Sequence, residues 1–212
     1  MYPAGALRAQ ARRAVCVRYP VRMTDDSRFL LDLQRHAAAG EPLRYLCFWG
    51  HQPPRTGVSS SCFSQWYDAG FSIDGQYYPT AEHYMMAGKA RLFGDTAIRA
   101  EVLAARTPDK AKAMGRKIVG FDEARWTQAR YALVVDGNMA KFSQNPALGD
   151  FLRATAGQVL VETSPVDFIW GIGLAKDDPD VQVPANWRGL NLLGFALMEV
   201  RARLLGEHRP PA

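Results

Sequence analysis

The 212-residue chain has only three cysteines, Cys16, Cys47 and Cys62, an odd set with no CxxC pair. That is poor material for a disulfide framework or a thiolate zinc site and fits a reducing compartment. Its four histidines, His36, His51, His83 and His208, show neither HxH nor HExxH spacing, so no helix presents two imidazoles to one metal. No structural metal and no cofactor are expected. No uninterrupted apolar run approaches the roughly 18 residues of a membrane span, and the N-terminus has no continuous hydrophobic h-region. The expectation is a cytoplasmic protein with no membrane partner. GxGxxG, Walker and GxSxG patterns are missing as well, which withdraws support from dinucleotide, NTP and serine-hydrolase readings.

What is present is apolar substance: 48% hydrophobic and 11% aromatic residues, enough for one globular domain with a sizeable core. The formal charge of +5 is local. Arg8, Arg12, Arg13, Arg18 and Arg22 stand in an acid-free opening of 24 residues, leaving 21 basic against 21 acidic residues in the rest. A neutral body argues against an extended nucleic-acid footprint. Residues 1–24 read as a basic, disordered extension or as sequence upstream of a start at Met23, and 25–208 as a single domain.

Along that domain, Asp25 or Asp26 can cap a helix with Phe29, Leu30, Leu33 and Ala37 on its apolar face, ended by Gly40. RYLCFWG (44–50) reads as a short buried strand, and HQPPRTGVSSS (51–61) as a binding loop or lid. GFSIDGQYY (70–78) is a hairpin turning at Asp74-Gly75. Helices follow over 79–93 behind Thr80, then after Asp95, Thr107-Pro108, Asp122 and Asn145-Pro146. VLVET (159–163) reads as a strand, 164–189 as an irregular stretch, and 189–205 as a closing helix. The fold class is α+β, predominantly α-helical, with a β-hairpin and a few short strands.

Acids beside aromatic residues are the candidates for chemistry. Glu82 lies in the first turn of a helix, where the dipole and free amides favour its ionised form. Asp167 stands in SPVDFIWGIG, between a proline and an apolar run. Two carboxylates facing one site would suit glycosidic hydrolysis, whose oxocarbenium-like transition state needs a negative neighbour and whose water needs a base. A helix-start glutamate and a turn aspartate fit the same patterns. Phe48, Trp49, Trp126, Trp170 and Trp187 are candidates to stack on a planar base; Lys89, seven residues after Glu82, could meet a phosphate.

The segments YLCFWGH, SCFSQWYDAGFSIDGQYYPTAEHYMMAGKARLFGD, DEARWTQARYALVVDGNMAKFSQNPALGDFLRATAGQVLVETSPVDFIWGIGL and NWRGLNLLGFALMEVRARL occur in an order that resembles the NADAR, or YbiA-like, family across residues 44–205. The resemblance implies a compact, mostly helical α+β enzyme that hydrolyses N-glycosidic bonds. Its substrates would be ribosylamino-pyrimidine intermediates of riboflavin synthesis or, alternatively, ADP-ribose joined to guanine in nucleotide or nucleic acid. A non-catalytic NAD or ADP-ribose binding module is the reading from another class. Carried over, the EHY glutamate is Glu82, the DxxWG aspartate is Asp167 with Trp170 and Gly171, the helix tryptophan is Trp126, and Asn191 is a ligand contact. Many members have Phe-Ser-Asn-Phe before the hairpin where this chain has Phe63, Ser64, Gln65 and Trp66. Gln65 keeps an amide on a longer arm, which bears on substrate identity.

Overall fold

A computed structural model describes residues 26–206; the basic extension expected over 1–24 lies outside them. The described chain forms seven α-helices and four short strands: α1 (Ser27–Ala38), β1 (Tyr45–Phe48), β2 (Phe71–Ile73), β3 (Gln76–Tyr78), α2 (Ala81–Leu92), α3 (Thr96–Ala104), α4 (Pro108–Gly115), α5 (Glu123–Gln144), α6 (Pro146–Ala154), β4 (Val159–Glu162) and α7 (Leu192–Leu204). The expected α+β class holds.

Local chemistry explains the helix starts. Asp95 accepts from the Ile98 N–H at 2.9 Å and Asp122 from the Arg125 N–H at 2.8 Å, each satisfying an orphan donor of the first turn. Pro108 and Pro146 open α4 and α6, where a missing N–H is harmless. Asp26 departs from the expected cap: its carboxylate accepts from Arg130 Nε at 2.7 Å and ties α1 to α5. The hairpin turns as expected, with Asp74 at φ 52° and Gly75 at φ 76°, the pair of positive angles a tight two-residue connection needs.

α2 forms the centre. Every residue from Ala81 to Gly88 is buried, because α3, α4 and α5 all pack on it. A helix covered on all sides carries no polar stripe, so Glu82 and His83 are taken inside with it. Close approach to α5 depends on glycine: a Cβ at Gly88 would lie 2.6 Å from Leu133 Cδ1, and one at Gly137 2.6 Å from Tyr84 Cδ1.

β1 and β4 pair in parallel, with Phe48 opposite Glu162 at their C-terminal ends. β1 is less buried than expected, Phe48 alone being fully enclosed, since the two-stranded sheet gives it a single strand neighbour. α7 starts three residues later than its apolar pattern suggests, at Leu192, because Asn191 adopts a left-handed conformation with φ 55°.

Candidate active site

Three carboxylates lie within electrostatic reach of one another where α2, the end of β4 and the following loop approach. Glu82 is 2% exposed. Its backbone N–H donates to Gln65 O at 2.9 Å, so the amide expected to welcome its charge is already occupied. Burial then outweighs the helix dipole and, with Asp167 nearby, pushes the carboxyl up to about 7 against the pull of Lys112, Arg116 and a hydrogen bond donated by the Trp66 side chain. This is opposite in direction to the shift expected from position in the helix alone. Oε1 of Glu82 is enclosed and has no hydrogen-bond partner among the described residues.

Glu162, the half-buried last residue of β4, has a carboxyl perturbed in the same direction. Burial, Asp167 and Glu82 raise its carboxyl to about 8, opposed by Lys112. Its Oε2 is likewise enclosed without a partner among the described residues. Asp167 completes the group from the loop. Its Oδ1 accepts from the N–H groups of Ile169 (2.9 Å) and Trp170 (2.7 Å), which pin the carboxylate. Val166 and Phe168 on either side are exposed, so this edge faces solvent.

Glycine and asparagine hold the loop against β4. A Cβ at Gly171 would come 2.9 Å from Glu162 O and 3.1 Å from Asp167 O, so only glycine lets the chain fold back for Ile172 N–H to donate to Glu162 O at 2.9 Å. Asn191, fully buried, accepts from the Glu162 N–H through Oδ1 and donates through Nδ2 to Leu160 O, both at 2.9 Å. Each polar atom of its side chain thus engages the β4 backbone beneath Glu162.

On the cationic side, Lys112 and Arg116 stand four positions apart at the end of α4, on one helix face. Lys112 Nζ lies 5.8 Å from the Trp66 ring centre, and Trp66 also neighbours the His51 ring at 5.7 Å. Paired carboxylates with cations and a half-exposed indole nearby are parts that glycosidic hydrolysis can use.

Comparison with known proteins agrees. The NADAR domain matches residues 47–205. The chain belongs to the NADAR family. It is 40% identical over 164 residues to N-glycosidase R617 of Acanthamoeba polyphaga mimivirus, covering 74% of this chain and 95% of that protein. It is 34% identical over 142 residues to the chloroplastic riboflavin biosynthesis protein PYRR of Zea mays, covering 63% of this chain and 21% of that protein. The NMR structure of the E. coli protein YbiA superposes with a TM-score of 0.62 at 29% identity, over 79% of this chain and 90% of that one.

In this NADAR domain the other candidates are distributed unevenly. Trp170 is half-buried beside Asp167. Gln65 reaches the group through its backbone, while its side-chain Oε1 accepts from Asn138 Nδ2 at 2.8 Å. Phe48 is 2% exposed and packs edge-on against Phe63, a wall under the site. Lys89 and Trp126 sit together further along α2: Lys89 Nζ lies over Phe121 (4.2 Å) and Trp126 (5.4 Å) and donates to Gly115 O at 3.3 Å. Trp126 is 8% exposed and lines a cavity of about 130 Å³ with Gly88, Arg91, Leu92, Ala129 and Leu133, none of them a carboxylate. Trp187 is buried, its indole donating to Val181 O, and Trp49 is exposed.

Glu162, Trp66, Lys112 and Arg116 were not singled out from the sequence as site residues. Glu162 carries one usable signal: it ends a β-branched strand, and ligands of parallel sheets gather at the carboxyl ends of strands. Lys112 and Arg116 look like any lysine and arginine of a solvated helix. Among the described residues, no three of His, Cys, Asp and Glu come close enough to hold a metal ion.

Proposed function

We propose that this N-glycosidase cleaves the bond between the anomeric carbon of a phosphorylated ribose and the nitrogen of an amino-pyrimidine, acting in the cytoplasm. The observation that carries the reading is the convergence of Glu82, Glu162 and Asp167, with two enclosed carboxyl oxygens unpartnered among the described residues and two cations alongside.

Breaking a ribosyl C–N bond develops positive charge on the sugar. Asp167, pinned by two backbone N–H groups, lies near the anomeric carbon and offsets that charge without reorganising. Glu82 activates the water: a base is most effective when its pKa sits near the working pH, and about 7 meets that condition. Lys112 and Arg116 hold the phosphate. Trp66 and Trp170 offer faces to the base, where stacking is worth ~1–3 kcal/mol. Gly171 and Asn191 position the carboxylates. A substrate from riboflavin synthesis is favoured by the name of the maize relative, a riboflavin biosynthesis protein.

The test offers the purified protein ribosylamino-pyrimidine 5′-phosphates, ADP-ribosylated guanine nucleotides and NAD, and follows release of free amine or base. Turnover of the first group is expected. Turnover of ADP-ribosyl guanine alone overturns the substrate assignment, and tight binding without turnover of any compound overturns the enzyme reading in favour of a binding module.

A further inference from the structure

The backbone of Glu162 is held on both sides at the end of its strand. Asn191 holds its N–H and Ile172 its C=O, each at 2.9 Å, and Gly171 presses against its carbonyl. Oε2 is left enclosed and, among the described residues, without a partner. The charged groups facing it come from three elements: Asp167 from the loop, Glu82 from α2 and Lys112 from α4; its strand neighbour Phe48 is apolar.

We propose that Glu162 is the acid that protonates the departing nitrogen, a role that rests on the N-riboside reading above. The surroundings divide the three carboxyls. Glu82 faces two cations, Lys112 and Arg116, accepts a hydrogen bond from the Trp66 side chain and meets one anion. Asp167 already accepts two backbone N–H groups. Glu162 meets two anions and one cation, so a proton shared by the group resides there. Burial and those neighbours raise its carboxyl to about 8, which keeps the acid loaded at neutral pH.

The step balances. The C1′–N bond breaks, its electron pair passes to nitrogen, and nitrogen takes the Glu162 proton. The water oxygen bonds to C1′ while Glu82 takes a water proton. The products are the ribose phosphate and the free amine. Proton return from Glu82 to Glu162 restores the resting enzyme.

The test varies how much the leaving group needs a proton. Glu162→Gln should slow hydrolysis of a ribosylamino-pyrimidine 5′-phosphate by roughly 10² to 10⁴ but slow a 4-nitrophenyl riboside 5-phosphate, whose phenolate departs unprotonated, by less than tenfold. Asp167→Asn should slow both. The alkaline limb of kcat near pH 8 on the N-riboside should vanish in Glu162→Gln, with the melting temperature at pH 6 unchanged. Equal slowing of both substrates by Glu162→Gln, an intact alkaline limb, or no slowing at all overturns the proposal alone. A parent enzyme inert on the N-riboside overturns the underlying reading and the proposal with it.

Discussion

Lys141 and Glu82 are buried alike, 0% and 2% exposed, and burial brings both to about 7 from opposite directions. Their surroundings differ. Lys141 Nζ donates to Cys62 O at 2.7 Å and Ser64 O at 2.9 Å, closing the turn that precedes Gln65 and Trp66. Glu82 Oε1, by contrast, is without a partner among the described residues. A perturbed pKa therefore does not by itself distinguish scaffold from site; the two groups differ in how their polar atoms are partnered. The buried Asp26–Arg130 pair at 2.7 Å belongs with Lys141, and Glu162 belongs with Glu82.

The largest expected effect tests the open side of this contrast. Asp167→Asn and Glu82→Gln should each reduce turnover by about 10² to 10⁴ while substrate affinity and melting temperature stay near the parent values. The double variant should lose less than the two losses combined, because both groups act on one transition state. Near-normal turnover in both single variants would sink the carboxylate mechanism.

Those two residues were legible because each is locally marked: Glu82 in the first turn behind Thr80, Asp167 between Pro165 and an apolar run. The hairpin and the helix starts were legible for the same reason, since caps, prolines and Asp-Gly act within a few residues. What sequence could not give was the sign of a long-range balance. Glu82 looked ionised because only its own helix was in view, whereas its environment is set by Gln65, Trp66, Lys112 and Asp167, up to 85 residues away in the chain. Asn191 looked like a ligand contact for a similar reason. Nothing local reveals that both its polar atoms are committed to β4.

Next in size is Trp126→Ala. The ring is nearly enclosed and borders the small cavity behind α2, so its removal should destabilise the fold by about 3 to 5 kcal/mol and leave affinity nearly intact. A tenfold loss of affinity with unchanged denaturant midpoint would instead move Trp126 to the substrate side.

Lys141→Met tests the closed side. The enclosed Cys62 carbonyl would lose the Lys141 donor and Ser64 O would keep the Tyr67 N–H, a change of about 2 to 4 kcal/mol in unfolding free energy. If the variant unfolds at the parent's denaturant concentration, the lysine is not the anchor its two hydrogen bonds indicate.

The smallest effect concerns pH and carries the opposite sign to the activity losses. Glu82 and Glu162 are raised from 4.5 to about 7 and about 8, so between those values the folded chain binds more protons than the unfolded one. Their contribution to stability is complete below about 4.5 and is lost as pH rises through 7 and 8. Lys141, lowered from 10.5 to about 7, works in the other direction above neutrality, so the parent curve alone mixes the two. The difference between Glu162→Gln and the parent isolates the carboxylate. It should be small at pH 5 and favour the variant at pH 9, read as a higher Tm for the variant there. Paired denaturation curves at the two pH values decide it. A variant less stable than the parent at pH 9 would mean that Glu162 Oε2 has a partner in solution and belongs with Lys141 among the satisfied groups.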